Sequence, residues 1–304
     1  MRSLQVTSAD GTPIRAWSSG SGVPVLLCNG LGASPLAWPA VVAEDSGFQV
    51  VGWDHRGLGA SRRPQDPARV QVEDHVADAR AVLAAFDLPS VTLVGWSLGV
   101  NVAFELALEN PGRVNGVLAV AGVPGGSFSS LFGPLGVPRR LRPPAGRLTS
   151  RLLPVVGPLF PLLNRSVQPW RTVLTPAMAG TSAAEAARLE SLAAAVGEFA
   201  QQDWSWFRHL AVAVADHAPL DLSPLSCPAT FLAGRYDTLV DVADVRAAAH
   251  SLPGARYREF PASHFLPLEH PTAMLDELRL LTAAGAERAG GLAGMTRAPR
   301  SGLG

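Results

Sequence analysis

Short apolar runs alternate with stretches of helical periodicity over the first 122 residues of the chain. Apolar residues recur at helical spacing over 72–86 and 102–107. The runs around these helical stretches are too short for helices and predict strands buried on both faces, at 25–28, 49–53, 91–94 and 117–120. This alternation predicts an α/β fold, an open sheet of parallel strands joined by crossover helices.

The alternation stops after residue 122. Residues 123–176 are rich in Pro and Gly, and two helical patterns follow, from Ser182 to Phe199 and from Trp204 to Val214. Ser182 and Glu185 have the spacing of a capping box. We therefore expect a mostly helical insertion over 123–218.

Strand and helix patterns resume after the insertion. Strands are predicted at 229–233 and 255–260, and helices at 242–252 and 272–281. The core then comprises residues 1–122 and 219–285. Residues 286–304 are rich in Gly, Ala and Arg without periodicity, which predicts a disordered tail.

Composition narrows the classes of partner. The 304 residues are 47% hydrophobic, enough for a sizeable core, and the 25 basic residues, all Arg, balance 25 acidic ones. A net charge of zero argues against nucleic-acid binding. The two cysteines allow no disulfide framework, and neither they nor the histidines have the spacing of a metal site, so no metal is expected.

No segment has the pattern of a signal peptide or a membrane span. The N-terminal residues predict a strand, and the longest apolar run, Leu152–Leu163, is only twelve residues long and interrupted by proline. A cytoplasmic protein is the expectation. The sequence leaves the oligomeric state open.

The strongest local motif is Gly95-Trp96-Ser97-Leu98-Gly99. It follows a predicted strand and precedes a helical pattern, so Ser97 falls on a sharp strand-to-helix turn. Glycines two positions before and after remove the Cβ atoms that would clash in such a turn. Ser97 is therefore a candidate nucleophile, and the neighbouring Trp96 is assigned to substrate binding.

A nucleophilic serine needs a base and an acid that orients it. Asp237 follows the strand 229–233, and His264 follows the strand 255–260. All three residues therefore come after strand ends, which meet at one edge of a parallel sheet. Asp241 and Asp244 are alternatives for the acid, and His270 is an alternative for the base.

The strand 25–28 ends in Asn29-Gly30-Leu31-Gly32, a turn whose backbone amides can face the same edge. The amides of Leu31 and Leu98 are the candidate donors of an oxyanion hole. The same turn also suggests a dinucleotide fingerprint, because Asp54 ends the next strand 22 residues after Gly32. Pro35 stands where that fingerprint requires a glycine, and Ser97, Asp237 and His264 would be left unexplained.

The chain resembles α/β-hydrolase-fold serine hydrolases in the motif around Ser97 and in the turn Asn29–Gly32, and also in Asp54–Ser61, Gly234–Asp237 and His264–Pro271. The resemblance covers about 1–122 and 219–285. The resemblance implies an eight-stranded, mostly parallel sheet with a helical cap inserted after the sixth strand. Asn29 departs from the histidine usual in the oxyanion turn, and Ser263 departs from the glycine usual before the catalytic histidine. These departures weaken the subfamily assignment and leave the mechanism intact.

The predicted function is the hydrolysis of carboxylic esters with an apolar acyl or alcohol group, through an acyl-enzyme on Ser97 and without a cofactor. Lactone hydrolysis, perhydrolysis and acyl transfer are alternatives with the same residues. A non-catalytic ligand-binding or receptor protein is the alternative of another class.

The insertion carries an arginine cluster whose interpretation stays open. Five arginines lie beside the apolar run Leu152–Leu163, at positions 139, 140, 142, 147 and 151. They predict either a solvated face of the cap or a lid that meets a lipid-like substrate or a membrane surface, with Arg outward and Leu and Phe inward.

Overall fold

The computed structural model describes residues 1–157, 194–195 and 197–296. Its centre is an eight-stranded sheet in the order β1-β2-β4-β3-β5-β6-β7-β8, antiparallel at β1/β2 and β2/β4 and parallel elsewhere. The strands are Arg2–Thr7, Pro13–Ser19, Val23–Cys28, Phe48–Trp53, Val91–Trp96, Val114–Val120, Ala229–Gly234 and Arg256–Phe260. The predicted eight-stranded, mostly parallel sheet is confirmed.

Helices cover both faces of this sheet. In the described residues they are α1 Val72–Ala85, α2 Gly99–Glu109, α3 Ser127–Ser130, α4 Arg142–Val156, α5 Trp204–Ala215, α6 Val242–Ser251, α7 Leu266–Glu269 and α8 Pro271–Thr296. Alternate residues of the central strands enter two separate cores. Leu93 packs on the face that carries α1, α2 and α6, and Val94 packs on the face that carries α8. Burial on both faces explains why these strands are continuous apolar runs.

The segment between β6 and β7 contains α3, α4 and α5, and its two ends are tied together. The Gly126 N–H donates to the His217 carbonyl at 2.8 Å, and the Leu220 N–H donates to the Pro124 carbonyl at 3.2 Å. The predicted helix from Ser182 lies mostly outside the described residues, and residues 197–200 at its end are helical. Among the described residues, no helix is both long and apolar enough to cross a bilayer.

The C-terminal segment differs from the sequence prediction. A disordered tail is predicted from residue 286, but α8 continues to Thr296. Most residues between 286 and 296 are good helix formers, and the glycines among them cost only about 1 kcal/mol each. The tail prediction is therefore wrong up to residue 296, and residues 297–304 lie outside the described part.

A buried charge network braces the loop between β4 and α1. Arg56 is fully buried (0% exposed) and donates two hydrogen bonds to Asp78, at 2.8 and 2.7 Å. It also donates to the Asp10 carboxylate at 2.5 Å and to the Arg69 carbonyl at 2.9 Å. The guanidinium thus joins the N-terminal hairpin, the loop and α1.

Two buried histidines adjoin this network. The rings of His55 and His75 lie 5.3 Å apart, and neither ring nitrogen of His75 has a hydrogen-bond partner among the described residues. Burial lowers the pKa of His55 to about 4. Burial lowers the pKa of His75 well below its usual range, and repulsion from Arg56 and from a protonated His55 acts in the same direction. Both rings are therefore neutral in the folded protein at neutral pH.

These histidines predict that the free energy of unfolding falls in mild acid. The unfolded chain takes up protons near pH 6.5 while the folded protein does not, so stability is full above pH 6.5 and declines toward the folded pKa. By ~pH 5 His55, whose folded pKa is about 4, should lower the free energy of unfolding by about 2 kcal/mol, and His75 should lower it further. Urea unfolding at ~pH 7 and ~pH 5 measures this loss.

The substitution His75→Phe should make the loss of stability between ~pH 7 and ~pH 5 smaller. The matched control is His250→Gln, because His250 is exposed on α6 and lies outside this buried pair. An unchanged pH dependence in His75→Phe would contradict the assignment.

Candidate active site

Ser97 occupies the turn between β5 and α2 with a left-handed backbone, φ +54°. A non-glycine residue is strained in this region, and such strain concentrates at functional sites. The flanking glycines make the turn possible: a Cβ on Gly95 would lie 2.8 Å from the Val100 Cα, and one on Gly99 would overlap the Cys28 carbonyl oxygen. The predicted reason for both glycines thus agrees with the geometry.

The structure brings Asp237 and His264 together with Ser97. The His264 Nε2 lies 3.0 Å from the Ser97 Oγ, and its Nδ1 lies 2.8 Å from the Asp237 Oδ2. The other carboxylate oxygen of Asp237 accepts the N–H groups of Leu239 and Val240, at 2.8 and 2.9 Å. The carboxylate is therefore held in place while one oxygen faces the imidazole.

The alternative acid and base residues are engaged elsewhere. Asp241 caps α6 through the Ala243 N–H at 3.0 Å and pairs with Arg142 at 3.1 Å. Asp244 also pairs with Arg142, at 3.2 Å. The ring of His270 packs on Phe260, with centroids 5.5 Å apart.

The loop that carries His264 is held from two sides. The Trp96 Nε1 donates to the His264 carbonyl at 3.1 Å. Glu269 accepts the Ser263 N–H at 3.0 Å and also the Ser263 hydroxyl. Ser263, which departs from the usual glycine, thus provides a second hydrogen bond to Glu269.

Trp96 is largely buried beside His264. Its side chain is 5% exposed, and its ring packs between Trp38 and His264. The indole is oriented by its bond to the His264 carbonyl, which sequence alone cannot show. Its assignment to substrate binding stays a prediction, and the contact that the structure describes is with the histidine loop.

The turn after β3 is held by Asn29. Its amide group donates to the carbonyls of Ala33 and Ser34, at 2.9 and 3.1 Å, and its amide oxygen accepts the Gly30 N–H at 3.0 Å and the Trp38 indole at 3.1 Å. The side chain that departs from the family pattern therefore shapes the turn. Among the described residues, neither the Leu31 nor the Leu98 N–H has an acceptor, which keeps both available as donors.

The dinucleotide alternative does not fit this geometry. Only a three-residue 3-10 helix, Pro35–Ala37, follows the turn, whereas pyrophosphate binding needs the N-terminus of a full helix. The Asp54 carboxylate accepts the Ala60 N–H at 2.9 Å and pairs with Arg15 at 3.3 Å. That alternative is wrong.

Asn101, on the first turn of α2, links Leu98 to the start of the insertion. It is fully buried, and its amide group donates to the Leu98 carbonyl and to the Ser127 hydroxyl, both at 3.2 Å. Its amide oxygen accepts the Gly125 N–H at 2.6 Å. Sequence reasoning missed Asn101, and its place one turn after Ser97 was the only available signal.

Helix α5 of the insertion packs against two parts of the core, the turn after β3 and the loop between β4 and α1. Phe207 would be 3.0 Å from a Cβ on Gly32, and Phe199 packs edge-on against Phe207. The Trp206 Nε1 donates to the Arg56 carbonyl at 2.7 Å. Aromatic side chains thus lie against the turn that carries Leu31.

Comparison with known proteins agrees with this fold. The family model for the α/β hydrolase fold matches residues 23–271. Rhodomycin D methylesterase of Streptomyces peucetius is 29% identical over 276 residues, which cover 84% of this chain and 90% of that protein. An esterase from Rhodococcus has a similar structure, with a TM-score of 0.68, 23% identity, and coverage of 93% of this chain and 99% of that one.

Another relative matches only in part. A Caulobacter segnis protein named for carbamate hydrolysis is 34% identical over 110 residues. This alignment covers 36% of the chain and 41% of that relative, so the chain spans less than half of its length. The match to the family model covers most of the chain, and the chain belongs to the α/β hydrolase fold family.

Proposed function

We propose that this protein is a serine hydrolase that cleaves carboxylic esters through an acyl-enzyme on Ser97. The observation that carries the proposal is the continuous hydrogen-bonded series from Ser97 through His264 to Asp237, at 3.0 and 2.8 Å. A serine hydroxyl, an imidazole and a buried carboxylate in this order constitute an activated nucleophile.

The groups of the site divide the steps of the reaction among them. His264 accepts the Ser97 proton as the oxygen attacks the ester carbonyl, and Asp237 stabilises the resulting imidazolium. The amides of Leu31 and Leu98 bind the oxyanion of the tetrahedral intermediate. His264 then protonates the leaving alcohol, and water releases the acid by the reverse sequence.

The aromatic side chains beside the oxyanion turn support an apolar substrate group. The rings of Phe199 and Phe207 lie beside the oxyanion turn, on the side of Gly32. An apolar acyl or alcohol group would be desolvated against these rings. Because a relative of similar length is named as a methylesterase, methyl esters belong among the candidate substrates.

A fluorophosphonate probe and a substrate panel test the proposal. The probe should label the wild-type protein and should not label Ser97→Ala. The panel comprises p-nitrophenyl esters of increasing acyl length, methyl esters and lactones. If the protein hydrolyses only the lactones of the panel, its proposed activity becomes lactone hydrolysis. A folded wild-type protein that the probe does not label would indicate a ligand-binding protein.

We expect Asn101→Ala to lower kcat about tenfold with little change in KM. Loss of an oxyanion donor costs about 100-fold or more, and Asn101 acts on one donor indirectly, through the Leu98 carbonyl. Steady-state kinetics on an ester of the panel measure the two constants.

The matched control for this prediction is Asn110→Ala. Asn110 donates to the Leu106 carbonyl at 3.1 Å at the far end of the same helix. If both variants retain wild-type kcat, Asn101 has no positioning role. A fall in both would indicate a general effect on the helix.

A further inference from the structure

The insertion carries a segment with an extreme charge bias. From residue 123, where the insertion begins, to Ala184 the sequence contains seven arginines and no acidic residue, although the whole chain has a net charge of zero. Five of these arginines lie in the described residues of α4 and the turn before it, at positions 139, 140, 142, 147 and 151. This bias is confined to one part of the molecule.

The apolar residues beside these arginines point outward. Leu148, Leu152 and Val155 are 60%, 51% and 73% exposed, and Leu141 before the helix is also exposed. The sequence expectation of inward-facing leucines in the run Leu152–Leu163 is therefore wrong for Leu152, and residues 158–163 of that run lie outside the described residues. The buried side of α4 instead carries small residues such as Gly146, which packs closely on Phe128.

The arginines lie next to the exposed leucines along the helix. An arginine directly precedes a leucine at 140–141, 147–148 and 151–152, and these positions are spaced by seven and four residues. Because that spacing repeats one helical face, the arginines form a row beside the leucines. We name Leu141, Leu148, Leu152 and Val155 the α4 stripe.

Two arginines of this row carry unbalanced charge. Arg140 and Arg151 are exposed, and no carboxylate among the described residues lies within ion-pair distance of either one. Arg147 is half-exposed and shares its charge with Asp216 at 2.7 Å. The face therefore combines exposed aliphatic surface with net positive charge.

We propose that the α4 stripe lies on the surface of an anionic lipid bilayer. Its leucines and valine enter the boundary between headgroups and acyl chains, while the neighbouring guanidinium groups bind lipid phosphates. Protein interfaces concentrate their binding energy in aromatic residues and arginine, with leucine and valine under-represented. The stripe is aliphatic throughout, which favours a fluid apolar phase. This inference does not depend on ester hydrolysis.

Vesicle co-sedimentation with the full chain tests the proposal. We expect binding to vesicles of phosphatidylcholine with phosphatidylglycerol, much weaker binding to phosphatidylcholine alone, and release at high salt. The double variant Arg140→Gln with Arg151→Gln should bind about 30-fold more weakly, since each arginine near an anionic surface contributes about fivefold. The double variant Leu148→Ser with Leu152→Ser should bind at least about tenfold more weakly, from the loss of buried apolar area.

Matched controls separate this surface from general effects. Leu280→Ser removes an exposed leucine on α8, and Arg2→Gln with Arg62→Gln removes two exposed arginines of the core. These controls should bind like the wild type, and all variants should keep its activity on a dispersed ester, if it has any. Equal binding to both vesicle types, absence of binding, or a dimer in gel filtration that the leucine variant abolishes would each overturn the proposal.

Discussion

Replacing Ser97 by alanine should abolish ester hydrolysis, with a loss in kcat of about a million-fold. Removing the nucleophile of such a unit leaves only the oxyanion hole and binding, which account for about 10³-fold to 10⁴-fold over water. His264→Ala should cost about as much, because Ser97 and His264 act as one unit at 3.0 Å. Ester kinetics and fluorophosphonate labelling measure both losses.

His270→Ala is the matched control for this experiment. His270 lies six residues from His264 along the chain but packs on Phe260 instead of the serine. Its replacement should leave kcat within about twofold of the wild type. Activity retained in Ser97→Ala would refute the acyl-enzyme, and a collapse of activity in His270→Ala alone would reassign the base.

The largest effect on stability is expected from Arg56→Met. The substitution leaves Asp78 buried without its two hydrogen bonds from Arg56. Burial raises the pKa of Asp78 even though Arg56 lowers it, so the carboxylate without Arg56 must stay charged and unpaired or take up a proton. Breaking a buried pair from one side costs about 3–5 kcal/mol. Urea unfolding near neutral pH measures the change.

A second variant distinguishes the broken pair from lost packing. Arg56→Met combined with Asp78→Leu removes both charges and should recover part of the lost stability, since buried ion pairs can be replaced by apolar side chains at little net cost. The exposed pair Arg63–Asp203 offers the matched comparison, because Arg63→Met should cost about 1 kcal/mol or less. A double variant no more stable than Arg56→Met would contradict the explanation.

The parts of the site that could be predicted are those set by strand ends. Ser97, Asp237 and His264 each follow a strand of one parallel sheet, so their meeting follows from topology alone. The strands β5, β6 and β7 are buried on both faces, and continuous apolar runs mark them in the sequence. The edge strand β1 alternates between exposed and half-buried residues and has no such run.

The parts that could not be predicted depend on side-chain direction. The direction of the Trp96 indole is set by a carbonyl 168 residues away in sequence. Asn101 was missed because its partner Ser127 is 26 residues away. The sequence predicts that Trp206 lies on a helix, but it does not predict the bond from its indole to the Arg56 carbonyl, 150 residues away. Periodicity reports which face is apolar and says nothing about such individual bonds.

The left-handed backbone at Ser97 lowers the stability of the fold at the one position whose hydroxyl the proposed activity requires. A residue held there costs about 1–3 kcal/mol, and glycine would remove most of that cost because it adopts positive φ freely. A laboratory selection that rewards only heat resistance would therefore favour glycine at the position where the hydroxyl is indispensable. Directed evolution of this chain needs a turnover screen in every round, or its most durable descendants will be inert.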